Sequence, residues 1–299
     1  MDLRQTKHWG EYLKALGWDS LETKGNNLRI KKLGVLGSII KIQRPQVLNE
    51  QILSEIATIA QEERAIIVKL EPNLGFNNER LLAKYGYKKD NWPTVPARTV
   101  VLNLSDNFPN TYTKDARYSI RKAEKAGILT KFFKTTNPQA QKEFYKLYKE
   151  SAKGKFFVSS FEKDFIPKCQ ALDKSSFIAL ASCDNKNKGL SQIWDNHYSG
   201  AFVCVVGDTA HYLHAGTTQE GKDTGAPYKL ILEICQKLKK DKVKYLDLEG
   251  IYDPRYPKFT KGWQGFTHFK SQFGGKVVEF PPSYTKYRGL LKLLASFSY

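Results

Sequence analysis

Four cations at helical spacing are the first residues that point to chemistry. Lys114, Arg117, Arg121 and Lys125 recur at intervals of three and four, so they share one stripe of a helix predicted over Thr111–Ala126, with Ala116, Ile120 and Ala123 on its other face. Such a ridge suits phosphates, and it is equally what a solvated helix face looks like. Further along, the glycine-bearing stretch Gly216 to Pro227 is expected as a loop between a strand and a helix. Free N–H groups and the helix dipole would favour an anion there. A plain loop with proline in the first helical turn gives the same letters. Tyr212 and His214 flank Leu213 on a predicted strand and are expected to share one face, and His214 could titrate near neutral pH or simply pack and hydrogen-bond. Asp247 and Glu249 end another strand, where they could bind an amino group or pair locally.

Several reaction classes lack their parts. The sequence has no His-Glu-x-x-His, no Gly-x-Ser-x-Gly elbow, no Walker loop and no dinucleotide fingerprint. The stretch Lys222-Asp-Thr-Gly225-Ala-Pro227 approaches the basic-x-x-Gly-x-Gly/Ala pattern by which acetyltransferases hold the pyrophosphate of coenzyme A. The proline removes a donor and speaks against that ordinary chemistry. Catalysis would have to come from positioning and electrostatics, with no metal or redox cofactor implied.

The elements that must position these residues repeat along the chain. Ile39–Ile42 as strand, Val47–Ala60 as helix and Ile66–Leu70 as strand form one βαβ unit, closed by Glu71-Pro72. Ala210–His214, Pro227–Leu238 and Val243–Asp247 repeat the grammar, closed by Glu249-Gly250. Each half is expected to carry a mixed sheet flanked by helices, because right-handed crossovers bring the paired strands into one sheet. A strand is predicted at Arg98–Leu104, helices at Ala140–Ala152 and Phe161–Leu172, and strands at Phe177–Ser182, Gly189–Trp194 and Gly200–Val206. The turn residues 105–110 suggest a boundary, giving a first domain of 1–110 plus about 276–299 and a second of 111–275.

Composition bounds the partners. With 48 Lys and Arg against 30 Asp and Glu, the 299-residue chain has a formal net charge of +18, which suits RNA, an anionic membrane face or a phosphorylated substrate, and equally a solvated basic surface that keeps the protein soluble. Cys169, Cys183, Cys204 and Cys235 show no metal-ligand spacing and read as structural thiols in a reducing compartment. The start of the chain has no secretory signature and no apolar run approaches a bilayer span, so a cytoplasmic protein is expected. Tyr284–Tyr299 mixes leucines with Lys286, Arg288 and Lys292, as a peripheral membrane contact or ordinary core packing would.

An ordered set of short stretches carries a resemblance. Gln5 and Trp9, Arg44-Pro45, Pro96-Ala-Arg98-Thr99, Arg121-Lys-Ala-Glu-Lys125-Ala-Gly127, Tyr212-Leu-His-Ala-Gly216, Ala226-Pro227-Tyr228, Asp247-Leu-Glu-Gly250-Ile251 and Phe269-Lys270-Ser-Gln-Phe273-Gly274-Gly275 resemble, in this order, the FemABX peptidyltransferases. The resemblance implies an α/β (α+β) fold of two acyl-CoA N-acyltransferase (GNAT)-like domains facing each other across a cleft. It also implies transfer of an amino acid from aminoacyl-tRNA to the stem-peptide amine of a muropeptide precursor, nucleotide- or lipid-linked. Lys270 would be the cation at the transition state and Phe269 the wall of the aminoacyl end, unless it is a core aromatic. Tyr212 and His214 would line the acceptor site, and Asp247 and Glu249 would take the incoming amino group. Lys14 joins Lys114, Arg117, Arg121, Lys125 and the Gly216 loop as candidate contacts for tRNA or acceptor phosphates. The segment 140–172 is too short for the coiled-coil arm of some members. Two other readings stay open: a same-fold N-acyltransferase with another donor or acceptor, and a non-catalytic RNA-binding protein whose Tyr87, Trp92 and Tyr118 stack on bases.

Overall fold

The computed structural model describes residues 1–105, 107–152, 161–183, 197–289 and 291. In chain order the helices and strands are α1 (Lys7–Ala15), β1 (Asp19–Thr23), β2 (Asn26–Lys32), β3 (Ser38–Gln43), α2 (Glu50–Glu62), β4 (Ala65–Glu71), α3 (Glu79–Lys84) and β5 (Lys88–Lys89). Then come β6 (Arg98–Asn103), α4 (Lys114–Lys125), β7 (Ile128–Lys134), α5 (Pro138–Ser151), α6 (Phe161–Ala171), β8 (Ser176–Cys183), β9 (His197–Val206), β10 (Thr209–Thr217), α7 (Gln219–Thr224), α8 (Ala226–Lys240) and β11 (Tyr245–Gly250). The chain ends through α9 (Pro257–Thr260), α10 (Gln264–Ser271), β12 (Lys276–Glu279) and β13 (Tyr284–Tyr287). Contacts divide it into two compact units, Met1–Arg98 with Gly250–Gln264 and Val278–Tyr299, and Thr99–Glu249 with Gly265–Val277.

The first unit holds a six-stranded sheet in the order β1-β2-β3-β4-β13-β5. Parallel β3 and β4 are joined by α2, the crossover that the apolar period of 47–60 predicts. Asn49 caps α2 by accepting from the Ile52 amide at 3.0 Å, and Ile52, Leu53, Ile56, Ile59 and Ala60 are buried against the sheet. Behind the sheet, Lys69 is fully buried and forms an ion pair with Asp90 at 2.6 Å, its ammonium 3.8 Å from the centre of the Trp92 ring. Tyr87 is buried and Trp92 is covered by that lysine, so of the three aromatics considered for base stacking only Tyr118, on α4 of the second unit, is exposed.

The second unit holds a seven-stranded sheet in the order β12-β6-β11-β10-β9-β8-β7, with β10 and β11 parallel across α8 and β7 to β10 antiparallel. Both sheets are thus mixed and helix-flanked, as the duplicated βαβ grammar requires. Three expectations change in detail. The strand Arg98–Asn103 pairs in the second sheet, so the contacts part the chain at Arg98/Thr99 and not near 110, and Gly250–Gln264 returns to the first unit. The stretch 216–227 is not an open loop: Thr218 accepts from the Gly221 amide at 2.9 Å and starts α7, which runs into α8 through Gly225. Residues 284–287 form strand β13 between β4 and β5. The predicted strand 189–194, the stretch 154–157 and most of the tail after 289 lie outside the described residues. Cys169, Cys204 and Cys235 are buried and Cys183 is half-buried, all as free thiols. Among the described residues no helix is long and apolar enough to cross a membrane.

Candidate active site where two strands part

In the second unit, β10 and β11 pair only from Thr209–His211 to Tyr245–Asp247, although β10 runs on to Thr217 and β11 to Gly250. Beyond His211 and Asp247 the two parallel strands no longer share a ladder, and buried His211, Asp247 and Glu249 lie together at that point.

Register decides which side chains meet there. Against β9, His211 stands opposite Cys204, Tyr212 opposite Val203 and His214 opposite Phe202, with a bulge at Leu213. Cys204 and Phe202 are two residues apart and share a face, so His211 and His214 share it too, while Tyr212 points to the other side. The expected pairing of Tyr212 with His214 is therefore corrected by one extra residue in the strand. Asp247 lies beside His211 in parallel register, and Glu249 follows two positions on.

The contacts form one network. His211 Nδ1 lies 2.9 Å from Glu249 Oε1, both residues being buried. Asp247 Oδ1 accepts from the Glu249 amide at 2.7 Å and makes a short contact with the Thr99 hydroxyl, which is 2.9 Å from the Glu249 carbonyl oxygen. The half-buried Lys270, near the end of α10, donates to the same carbonyl at 3.4 Å, with its ammonium 4.9 Å from the centre of the Phe266 ring. Across β10, buried Lys168 of α6 donates to His214 Nε2 at 2.8 Å, which places the imidazole proton on Nδ1. The rings of Tyr148 and Phe202 flank His214.

Electrostatics follow burial. Desolvation, and then the Lys168 cation, hold His214 well below its usual range, so it is neutral at physiological pH. Burial, reinforced by the neighbouring Glu249, pushes the Asp247 carboxyl up. Burial lowers the Lys270 ammonium to about 8, and Glu249 and Asp247 keep it from falling further. The network thus holds a lysine able to gain or lose a proton near neutral pH. His211, Asp247 and Glu249 also offer three ligand atoms within 4.8 Å of one another. These three groups and Lys270 form one network of hydrogen bonds and charge.

The other candidate residues are placed as follows. Phe269 is half-buried in an aromatic cluster, 5.0 Å from Tyr228 and 5.1 Å from Phe273 between ring centres. Buried Gly216 lies under α5, where an added Cβ would come within 2.4 Å of the Leu147 carbonyl carbon. Close backbone packing is what requires glycine at that position. Gly225, with φ of +79°, is pressed likewise against the Ser119 carbonyl of α4, so the start of α8 faces protein. Lys114, Arg117, Arg121 and Lys125 are exposed along α4 while Ala116, Ile120 and Ala123 are buried, the stripe that the spacing predicts. Arg117 also donates to the Asn110 and Tyr112 carbonyls. Lys14 is exposed on α1 of the first unit. Sequence reasoning missed His211, Lys168 and Thr99. His211 is next to the chosen Tyr212 and differs from it only in register; nothing in the local sequence marks Lys168, and Thr99, though part of the stretch Pro96-Ala-Arg98-Thr99 that carries the resemblance, is given no role by it.

No protein-family model matches this sequence, and no curated protein matches it. Among solved structures, that of FemX superposes with a TM-score of 0.76 at 17% identity, covering 98% of this chain and 94% of FemX. The fold is FemX-like. The C-terminal domain of a putative lysylphosphatidylglycerol synthetase from Agrobacterium fabrum follows with a TM-score of 0.65 at 13% identity, covering 99% of this chain and 92% of that one. A tandem GNAT protein from the clavulanic acid biosynthesis pathway has a TM-score of 0.55 at 11% identity, covering 90% and 81%. In this FemX-like fold each unit carries a mixed sheet with one parallel pair crossed by a helix, which accounts for the duplication in the sequence.

Proposed function

We propose that this chain is an aminoacyltransferase that moves an amino acid from aminoacyl-tRNA to the stem-peptide amine of a peptidoglycan precursor. The observation that carries the reading is Lys270, a half-buried ammonium lowered to about 8 at the point where β10 and β11 part, on a FemX-like fold.

The chemistry needs few groups. The acceptor amine attacks the aminoacyl ester carbonyl, the carbonyl oxygen becomes an oxyanion, and collapse expels the 3′ ribose oxygen, which takes up the proton lost by the amine. A fixed ammonium facing the oxyanion stabilises charge that develops only in the transition state. Titrating near neutral pH, Lys270 is also matched to passing a proton to the leaving oxygen. The exposed stripe Lys114, Arg117, Arg121 and Lys125, together with Lys14, supplies cations for tRNA or for acceptor phosphates. Phe269 and its aromatic neighbours offer an apolar wall. On this reading the protein works in the cytoplasm, or at the inner membrane face when the acceptor is lipid-linked.

The test is transfer of radiolabelled amino acids from a charged tRNA pool to nucleotide-linked and lipid-linked muropeptides. Label that reaches a muropeptide, disappears after ribonuclease treatment and is lost in Lys270→Ala is the expected result. Labelling that survives ribonuclease would assign another acyl donor. Binding of tRNA without transfer to any acceptor would leave an RNA-binding protein.

A further inference from the structure

Glu249 has the backbone conformation least expected of a glutamate. Its φ of +59° lies in the left-handed region, where a side chain crowds the following carbonyl, and it occurs inside strand β11 at a buried position. An L-residue holds that conformation only where its surroundings over-determine it, and such positions gather at working sites.

The turn in the backbone has two consequences. It directs the Glu249 carbonyl to Lys270 Nζ, at 3.4 Å, and to the Thr99 hydroxyl, at 2.9 Å. It also leaves the carboxylate to His211 Nδ1 at 2.9 Å, beside Asp247. One residue thus reaches the Lys270 ammonium twice, through a backbone oxygen and through a side-chain charge.

We propose that Glu249 is a positioning residue whose left-handed backbone aims its carbonyl at the Lys270 ammonium while its carboxylate, oriented by His211, supplies the compensating charge. This rests on the reading of Lys270 as the cation of the transfer reaction, but the geometry can be tested without any substrate. Among the described residues Glu249 and Asp247, both on β11, raise the Lys270 value, and burial opposes them.

Competitive labelling of lysines with trace fluorodinitrobenzene across a pH series, read peptide by peptide, gives the titration midpoint of Lys270 in the intact protein. A wild-type midpoint of about 8 is expected, moving down in E249Q, whose amide keeps the shape and loses the charge. The backbone limb compares E249N and E249G, which tolerate a positive φ, with E249V, which does not. All three lack the carboxylate, and kcat in E249V should be about tenfold lower than in E249N at equal folded fraction by circular dichroism. A Lys270 midpoint unchanged or raised in E249Q would overturn the proposal, as would equal kcat in E249N and E249V. If the wild-type protein transfers nothing to any muropeptide while E249Q still lowers the Lys270 midpoint, the positioning role stands and the assigned reaction falls.

Discussion

His211 Nδ1 and the Glu249 carboxylate are 2.9 Å apart at the level where β10 and β11 cease to pair. The contact ties together two strands that no longer share a backbone ladder, and it gives a buried carboxylate a hydrogen-bond partner next to a second one. His211→Ala should therefore lower stability by about 2–3 kcal/mol, because it leaves Glu249 buried with a partner removed. Urea unfolding checks this, and a cost below about 0.5 kcal/mol would show that the pair contributes little.

The oxyanion role of Lys270 sets both size and pH dependence. Lys270→Ala should reduce kcat by about 10²–10³, the usual effect of removing one such donor. The ammonium is the active form, so the part of the rate that depends on it should fall as pH rises through about 8 in the wild-type protein. A pH profile with no decline between 7 and 9 would contradict that role.

The same lysine should cost stability. Its folded-state value of about 8 lies below the ordinary value of 10.5, so below pH 8 the native state holds a proton unfavourably, and stability rises between pH 8 and 10.5 as the ammonium deprotonates. Lys270→Met should stabilise the protein by roughly 2 kcal/mol at pH 7 while abolishing transfer. Melting curves at pH 7 and pH 10 test this, with the gain over wild type shrinking at the higher pH.

The α4 ridge should bind polyanions in proportion to its charge. Replacing Arg121 and Lys125 together by alanine should reduce the slope of log affinity against log salt for RNA by about 0.7–0.9 per cation lost. Both residues are exposed on α4, so the melting temperature should hold. Filter binding across a salt series measures the slope, and an unchanged slope would remove these residues from the interface.

Gly216 is a packing position under α5. Gly216→Ala should destabilise by about 1–3 kcal/mol, since the new methyl meets helix backbone at 2.4 Å, and RNA affinity per folded molecule should be unaltered. Loss of anion binding at full stability would restore the phosphate role expected from sequence.

Local patterning was enough to determine the two strand–helix–strand units and the basic helix. The 3.6-residue period of 47–60 and of 114–125, and the strand–helix–strand grammar used twice, are short-range properties, and α2, α4 and the parallel pairs β3–β4 and β10–β11 follow them. What the sequence could not determine was register and close approach. One bulge at Leu213 turns Tyr212 away from His214 and brings His211 to their place, and no letter in the strand marks where the extra residue falls. Lys168 reaches His214 and Thr99 reaches Asp247 across 46 and 148 positions of chain, contacts that exist only when the α6 helix and the β6 strand have packed on the sheet. The backbone of Glu249 is the clearest case. A glutamate ordinarily avoids a positive φ, so only the packing around the end of β11 could impose it.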